Sequence, residues 1–301
     1  MSARATRHST WVSSIGDSAP IIILIPPAAP SSRPLWQRRD PLRPVPPDAR
    51  KPRRGRRRDQ MDGVRERMER MRTQRVDLLQ FHWQHYEDKA YLQALNHLRD
   101  LQSEGIITAI GLCNFDTIRT DEICTSLGPG AIVSNQVQFS LIDTRPLDGM
   151  ADVCEKHGIK LLTYGSLCGG FLADKWLGAP EPDAYRETMT PSQRKYLDVI
   201  TSAWGTWTLF QTLLRVLRQI GDRHGGVSIA NVATRWVLGH SFVGAVIIGA
   251  RLGVSEHTSD NMQAFTFRLT PEDLTAIENV LDQSNGRLLV RTIGDCGSEY
   301  R

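Results

Sequence analysis

No run of the sequence approaches the roughly 20 consecutive apolar residues that a membrane-crossing helix needs, so no transmembrane segment is expected. The IIILI run at residues 21–25 is too short, is followed by Pro26-Pro27, and lacks the layout of a signal peptide. Cysteine is sparse: Cys113, Cys124, Cys154, Cys168 and Cys296 are odd in number, widely spaced and free of any CxxC pair. That excludes a zinc ribbon and argues against a disulfide framework, leaving a reducing compartment, with the cytoplasm expected. Tyrosine is missing before Tyr86, and the only lysine ahead of it is Lys51. A phenol–amine pair in strand context therefore cannot come from the residues ahead of His82.

Charge is unevenly divided. Residues 1–60 hold 13 Lys/Arg against 4 Asp/Glu, a balance of +9, whereas the remaining 24 and 29 leave residues 61–301 at −5. Ten of the 16 prolines also fall in those first 60 residues. Stretches such as PLRPVPPDARKP and RRGRRR cannot bury enough apolar surface to offset the entropy of ordering, so residues 1–60 read as a disordered basic leader. Three readings of it stand side by side. It is an inert tail or a product of faulty gene assembly. Alternatively KPRRGRRR is a nuclear address or nucleic-acid contact, or MSARATRHSTWVSS is a mitochondrial-type transit peptide.

The body, residues 61–301, alternates strand and helix signals. Met61, Val64, Met68 and Met71 mark an amphipathic helix over 61–73, and VDLLQFHW then gives a strand ending at His82. Tyr91, Leu92, Leu95, Leu98 and Leu101 share one helix face, stopped near Gly105. Asp116 is placed to cap a helix through Leu127, a helix centred on Met150 and Val153 ends at Gly158, and Thr270-Pro271-Glu272-Asp273 opens another. Further apolar runs end at Asn114, at Asn135-Gln136, at Tyr164 and at Gly249-Ala250-Arg251. Runs of this kind suit strands of a parallel sheet covered on both faces, with ligand chemistry at their carboxyl ends. Residues 170–225, with Trp176, Trp204 and Trp207, are too long for a loop. They read as a helical insertion over the mouth of the site, or as a helical layer packed by its tryptophans.

VDLLQFHW, GLCNF, SNQVQFSLID, LLTYGSLCGGFL and VIIGARLGVSEHTSDN, in this order, resemble the aldo-keto reductase superfamily, including the branch related to potassium-channel beta subunits. The resemblance covers about residues 61–301 and implies an NADP-dependent oxidoreductase on an eight-stranded (β/α) TIM barrel, acting on a small carbonyl or alcohol substrate. It implies that His82 orients the substrate carbonyl, and that Asn114 and Gln136 bond the nicotinamide carboxamide. Tyr164 would stack on the nicotinamide, with Gly165 and Leu167 beside it. Gly249, Ala250 and Arg251 would meet the cofactor phosphates, and Ser255, Asp260 and Asn261 the adenosine end. Cys113 stands where the family often has Ser or Thr. The family's tyrosine proton donor, with its lysine and aspartate, precedes the histidine strand and has no counterpart here. The expected fold is thus a partial (β/α)8 barrel lacking its first strand–helix units, with apolar edges left open and IIILI able to fill one slot. Tyr86, with Lys89, is the one conceivable substitute acid. The expected function is an impaired reductase; the alternatives are a non-catalytic NADP-binding regulatory or scaffold protein, or a nucleic-acid contact through the leader.

Overall fold

The computed structural model describes residues 21–25, 57–87, 89–184, 189–249 and 257–301. In chain order the elements are β1 (Ile21–Ile25), α1 (Arg57–Met71), β2 (Val76–His82), α2 (Ala90–Ser103), β3 (Ile107–Cys113), α3 (Thr117–Leu127), β4 (Ser134–Gln138), α4 (Met150–His157) and β5 (Lys160–Tyr164). After these come α5 (Pro191–Asp198), α6 (Trp207–Arg223), α7 (Ile229–Leu238), β6 (Val243–Gly249), α8 (Thr258–Met262), α9 (Pro271–Leu281) and α10 (Leu289–Ile293). The fold is α/β with parallel strands. The leader expected to be disordered lies largely outside the described residues, but IIILI forms β1, and α1 begins at Arg57 rather than at residue 61. Among the described residues no helix is long and apolar enough to cross a membrane.

The chain divides into two compact units. The first holds the described part of residues 26–138 together with 145–161 and 289–301. Within it β2 pairs parallel with β3, and β3 with β4, so that His82 lies opposite Cys113 and Cys113 opposite Gln136. The alternation drives helix α2 to bury Tyr91, Ala94, Leu95, Leu98 and Leu101, the face that the spacing marked. Strand β3 is well covered, with Ile110, Gly111 and Leu112 buried. Strand β2 is not: only Val76 is fully buried, and Leu78, Leu79 and Phe81 are half-buried. Among the described residues β3 is its one strand neighbour, so the run that suits a doubly covered strand instead forms an edge.

The second unit gathers β1 with residues 139–144 and 162–288. Strand β1 runs parallel to β6, from Ile21 opposite Ala245 to Ile25 opposite Gly249. Its core is helical: Phe171, Trp204, Phe210, Leu213, Leu214 and Leu217 are fully buried. The described part of the 170–225 stretch therefore packs as a helical layer. The Trp176 and Trp207 indoles donate to the carbonyls of Gly170 and Ala179 at 3.0 Å each, and Trp207 meets Phe210 at 5.2 Å between ring centres. Gly221 of α6 lies against the Val227 carbonyl so closely that any side chain would overlap it.

Candidate functional site

In the first unit three neighbouring strands bring candidate residues to one level. His82 closes β2, Asn114 follows β3, and Gln136 sits within β4. The Asn114 backbone N–H donates to the Gln136 carbonyl at 2.9 Å, and the Gln136 amide nitrogen lies 3.9 Å from the Cys113 sulfur. The register therefore brings Asn114 and Gln136 together, with Cys113 between them. Asn114 is buried and takes a left-handed backbone at φ 59°, a conformation that concentrates at functional sites. Its neighbour Asn135 points elsewhere: its amide donates to the Phe115 carbonyl at 2.9 Å and to the Thr120 hydroxyl at 3.1 Å, tying β4 to α3.

His82 keeps an exposed side chain. Desolvation by the surrounding chain, then the Arg301 charge, hold it below the ordinary imidazole range, so the neutral form is favoured. The Tyr300 ring approaches it edge-on at 6.3 Å between ring centres. Tyr86 is stacked on Phe115 at 5.6 Å, and its hydroxyl accepts from the Arg301 guanidinium at 2.5 Å. Desolvation pushes the Tyr86 phenol up to about 12, Asp116 adds to the rise, and Arg301 offsets only part of it. Lys89 does not serve this phenol. Its ammonium pairs with Glu122, the carboxylate that also accepts from the Tyr91 hydroxyl at 2.5 Å. Burial likewise raises the Cys113 thiol to about 11, so it stays neutral, its sulfur accepting from the Gln136 amide.

The chemistry of this set fits a planar carboxamide: two residues with primary amides are joined through their backbones beside a neutral imidazole and a neutral thiol. Sequence reasoning missed what surrounds it. Arg301 also donates to the Asn114 carbonyl at 3.0 Å and lies 3.6 Å from Asp116, and Gly297, at φ 74°, packs so tightly on Asn114 that a side chain there would overlap it. No local periodicity or motif marks residues 294–301, so nothing in the sequence pointed to them.

In the second unit Tyr164 ends β5 half-buried, its carbonyl accepting from the Phe139 N–H at 3.1 Å. Gly165 follows at φ 69°, and the Leu167 carbonyl accepts from Gly170 at 2.9 Å while its side chain packs on the helical core. Gly249 is the exposed last residue of β6. Ala250, Arg251 and Ser255 lie outside the described residues. Asp260 accepts from the Ser228 hydroxyl and the Asn231 amide at 3.1 Å each, and Asn261 is buried on α8. Asp260 also lines a cleft of about 470 Å³ with Asp174, Arg218, Gly225, Gly226 and Ser228. Arg218 there is committed to Asp174 at 2.6 Å and Asp222 at 3.0 Å.

Comparison with known proteins gives the class first. A glycerol dehydrogenase from Gluconobacter oxydans superposes with a TM-score of 0.61 at 22% identity, covering 80% of this chain and 66% of that one. This likeness establishes the (β/α)-barrel fold, here in partial form. The aldo/keto reductase family model matches residues 45–282, and the chain belongs to that family of oxidoreductases. Flagellar radial spoke protein 5 of Chlamydomonas reinhardtii is 36% identical over 132 residues, 43% of this chain and 24% of that protein. The oxidoreductase YqkF of Bacillus subtilis is 27% identical over 219 residues, 72% of this chain and 64% of that protein. The chain thus spans about a quarter of the first relative's length and somewhat under two thirds of the second's.

Proposed function

We propose that this chain binds a nicotinamide dinucleotide, NADP in preference, and is a severely impaired carbonyl reductase. The observation that carries the reading is the backbone pairing of Asn114, just past β3, with Gln136 within β4, near a phenol that is held neutral. In it Asn114 and Gln136 hold the carboxamide, Tyr164 with Gly165 and Leu167 faces the ring, and Gly249, Ala250 and Arg251 take the phosphates. Ser255, Asp260 and Asn261 take the adenosine end. The guanidinium of Arg251 is the group suited to a 2′-phosphate. When bound, the dinucleotide would supply the hydride.

This chain's own residues must supply the rest. His82, favoured neutral, can orient a carbonyl oxygen through one ring nitrogen. A proton must also reach the developing alkoxide, and Tyr86 is a poor donor because its ionisation lies near 12 rather than near the working pH. Loss of a general acid removes on the order of 10²–10⁴ in rate. NADPH is therefore expected to bind weakly, with binding lost in Asn114→Ala/Gln136→Ala, and turnover of an aromatic aldehyde is expected below detection. Appreciable NADPH oxidation that His82→Ala abolishes would overturn the impaired reading, and binding that survives loss of both amides would overturn the site.

A second reading, a non-catalytic structural component, is favoured by the 36% identity to flagellar radial spoke protein 5. It predicts stable capture of protein partners that is indifferent to NADPH and to His82→Ala. The cytoplasm is the compartment we propose for either role.

A further inference from the structure

Residues 294–301, GDCGSEYR, lie across the ends of β2 and β3 and are held there almost wholly by polar contacts. Cys296 and Gly297 are buried, and Cys296 is the one apolar side chain among them that is. Arg145, itself 2% exposed, is the main anchor: its guanidinium grips Glu299 with two bonds of 3.1 Å and donates to the carbonyls of Gly294 and Asp295 at 3.2 and 3.1 Å. The Asp295 carboxylate accepts from the Thr117 N–H at 2.8 Å and from its hydroxyl at 3.2 Å, fastening the segment to the start of α3. Arg301 completes the closure over the site. It bonds the Tyr86 hydroxyl and the carbonyls of Asn114 and Cys296, and lies 4.7 Å over the Tyr86 ring.

An element held by charge-assisted bonds with little apolar burial opens at less cost than the core beneath it. Gly294, at φ 85°, supplies a residue able to absorb a backbone rotation at its base. The contacts that close it are also the ones that cover Tyr86 and Asn114. We propose that residues 294–301 form a releasable strap, hinged at Gly294, whose closed position shields Tyr86 and Asn114. The strap opens as a unit about Gly294 while β3 and α3 stay folded, and access to those two residues follows its opening. This holds whether or not a dinucleotide binds.

The test uses the full chain with hydrogen exchange read by mass spectrometry and nitration of Tyr86 by tetranitromethane, mapped by peptide. Glu299→Gln weakens the Arg145 anchor without touching Tyr86, and Arg301→Ala removes the cover directly. Losing one charge-assisted pair should speed exchange of 294–301 about tenfold in Glu299→Gln, with β3 and α3 unchanged and Tyr86 nitration rising in step. Arg301→Ala should raise Tyr86 nitration by a similar factor, and Arg301→Lys by less. Exchange of 294–301 that always keeps pace with β3, or Tyr86 nitration unaltered in both Glu299→Gln and Arg301→Ala, would overturn the strap.

Discussion

Replacing Tyr86 by Phe separates a structural phenol from a catalytic one. The hydroxyl accepts from Arg301 at 2.5 Å and is also bonded to the Asp116 backbone, and its ring packs on Phe115 and edge-on to Tyr91 at 5.6 Å each, so Phe keeps the packing and deletes these hydrogen bonds. Such bonds are worth about 1 kcal/mol net each, which sets an expected loss of about 1–2 kcal/mol near neutral pH. The pH dependence has a second component. Raising the phenol from 10 to about 12 disfavours the folded phenolate by about 3 kcal/mol. The folded pKa is raised, so its contribution is whole below pH 10 and is lost as pH climbs through about 12. Urea unfolding followed at pH 8 and again near pH 11 should show the parent chain more stable than Tyr86→Phe at the lower pH, with the gap closing or reversing at the higher. The difference absorbance at 295 nm should place the Tyr86 transition well above 10. A transition below 10, or a measurable reductase rate that Tyr86→Phe abolishes while stability is unchanged, would refute the proposal that this phenol is not a general acid.

Two further predictions concern the second unit. Asp273 is buried and, against the desolvation that would raise it, accepts from His224 and Arg223 at 2.6 Å each, holding its carboxyl near 2. Its folded pKa is depressed, so about 2 kcal/mol of stability is present above pH 4 and lost as pH falls towards 2. Asp273→Asn should cost roughly 2–4 kcal/mol at pH 7 and little at pH 2; a chemical-denaturation midpoint unchanged at pH 7 would contradict this. Gly221→Ala would drive a methyl into the Val227 carbonyl and the Arg218 guanidinium, costing about 1–3 kcal/mol. Its Tm should fall by several degrees, and a shift under one degree would refute the close approach.

Local chemistry made much of the fold legible. Asp116 caps α3 by accepting from the Arg119 N–H at 2.8 Å, α4 ends at Gly158 in the left-handed region, and Thr270 with Asp273 forms a full capping box on α9. Each of these signals needs only neighbours three or four residues away. The half-bare β2 followed from counting missing strands rather than from its own residues, which read as a doubly covered run. The candidate site divides the same way. Asn114 and Gln136 adjoin because strand register puts them there; apolar runs marked the strands, and only the family resemblance joined the two residues in one site. The strap was invisible because its order comes from Arg145 and Thr117, about 150 and 180 residues away in sequence, and from no periodicity of its own.

The pairing of β1 with β6 carries a consequence for biogenesis. Ile21 leaves the ribosome some 220 residues before its partner Ala245, an interval on the order of tens of seconds at ordinary translation rates. Throughout it, five consecutive branched aliphatic residues have no strand to join. Closure of so distant a pair is slow for reasons of loop entropy. Production of this chain should therefore depend on chaperone capacity during synthesis far more than on the stability of the finished fold.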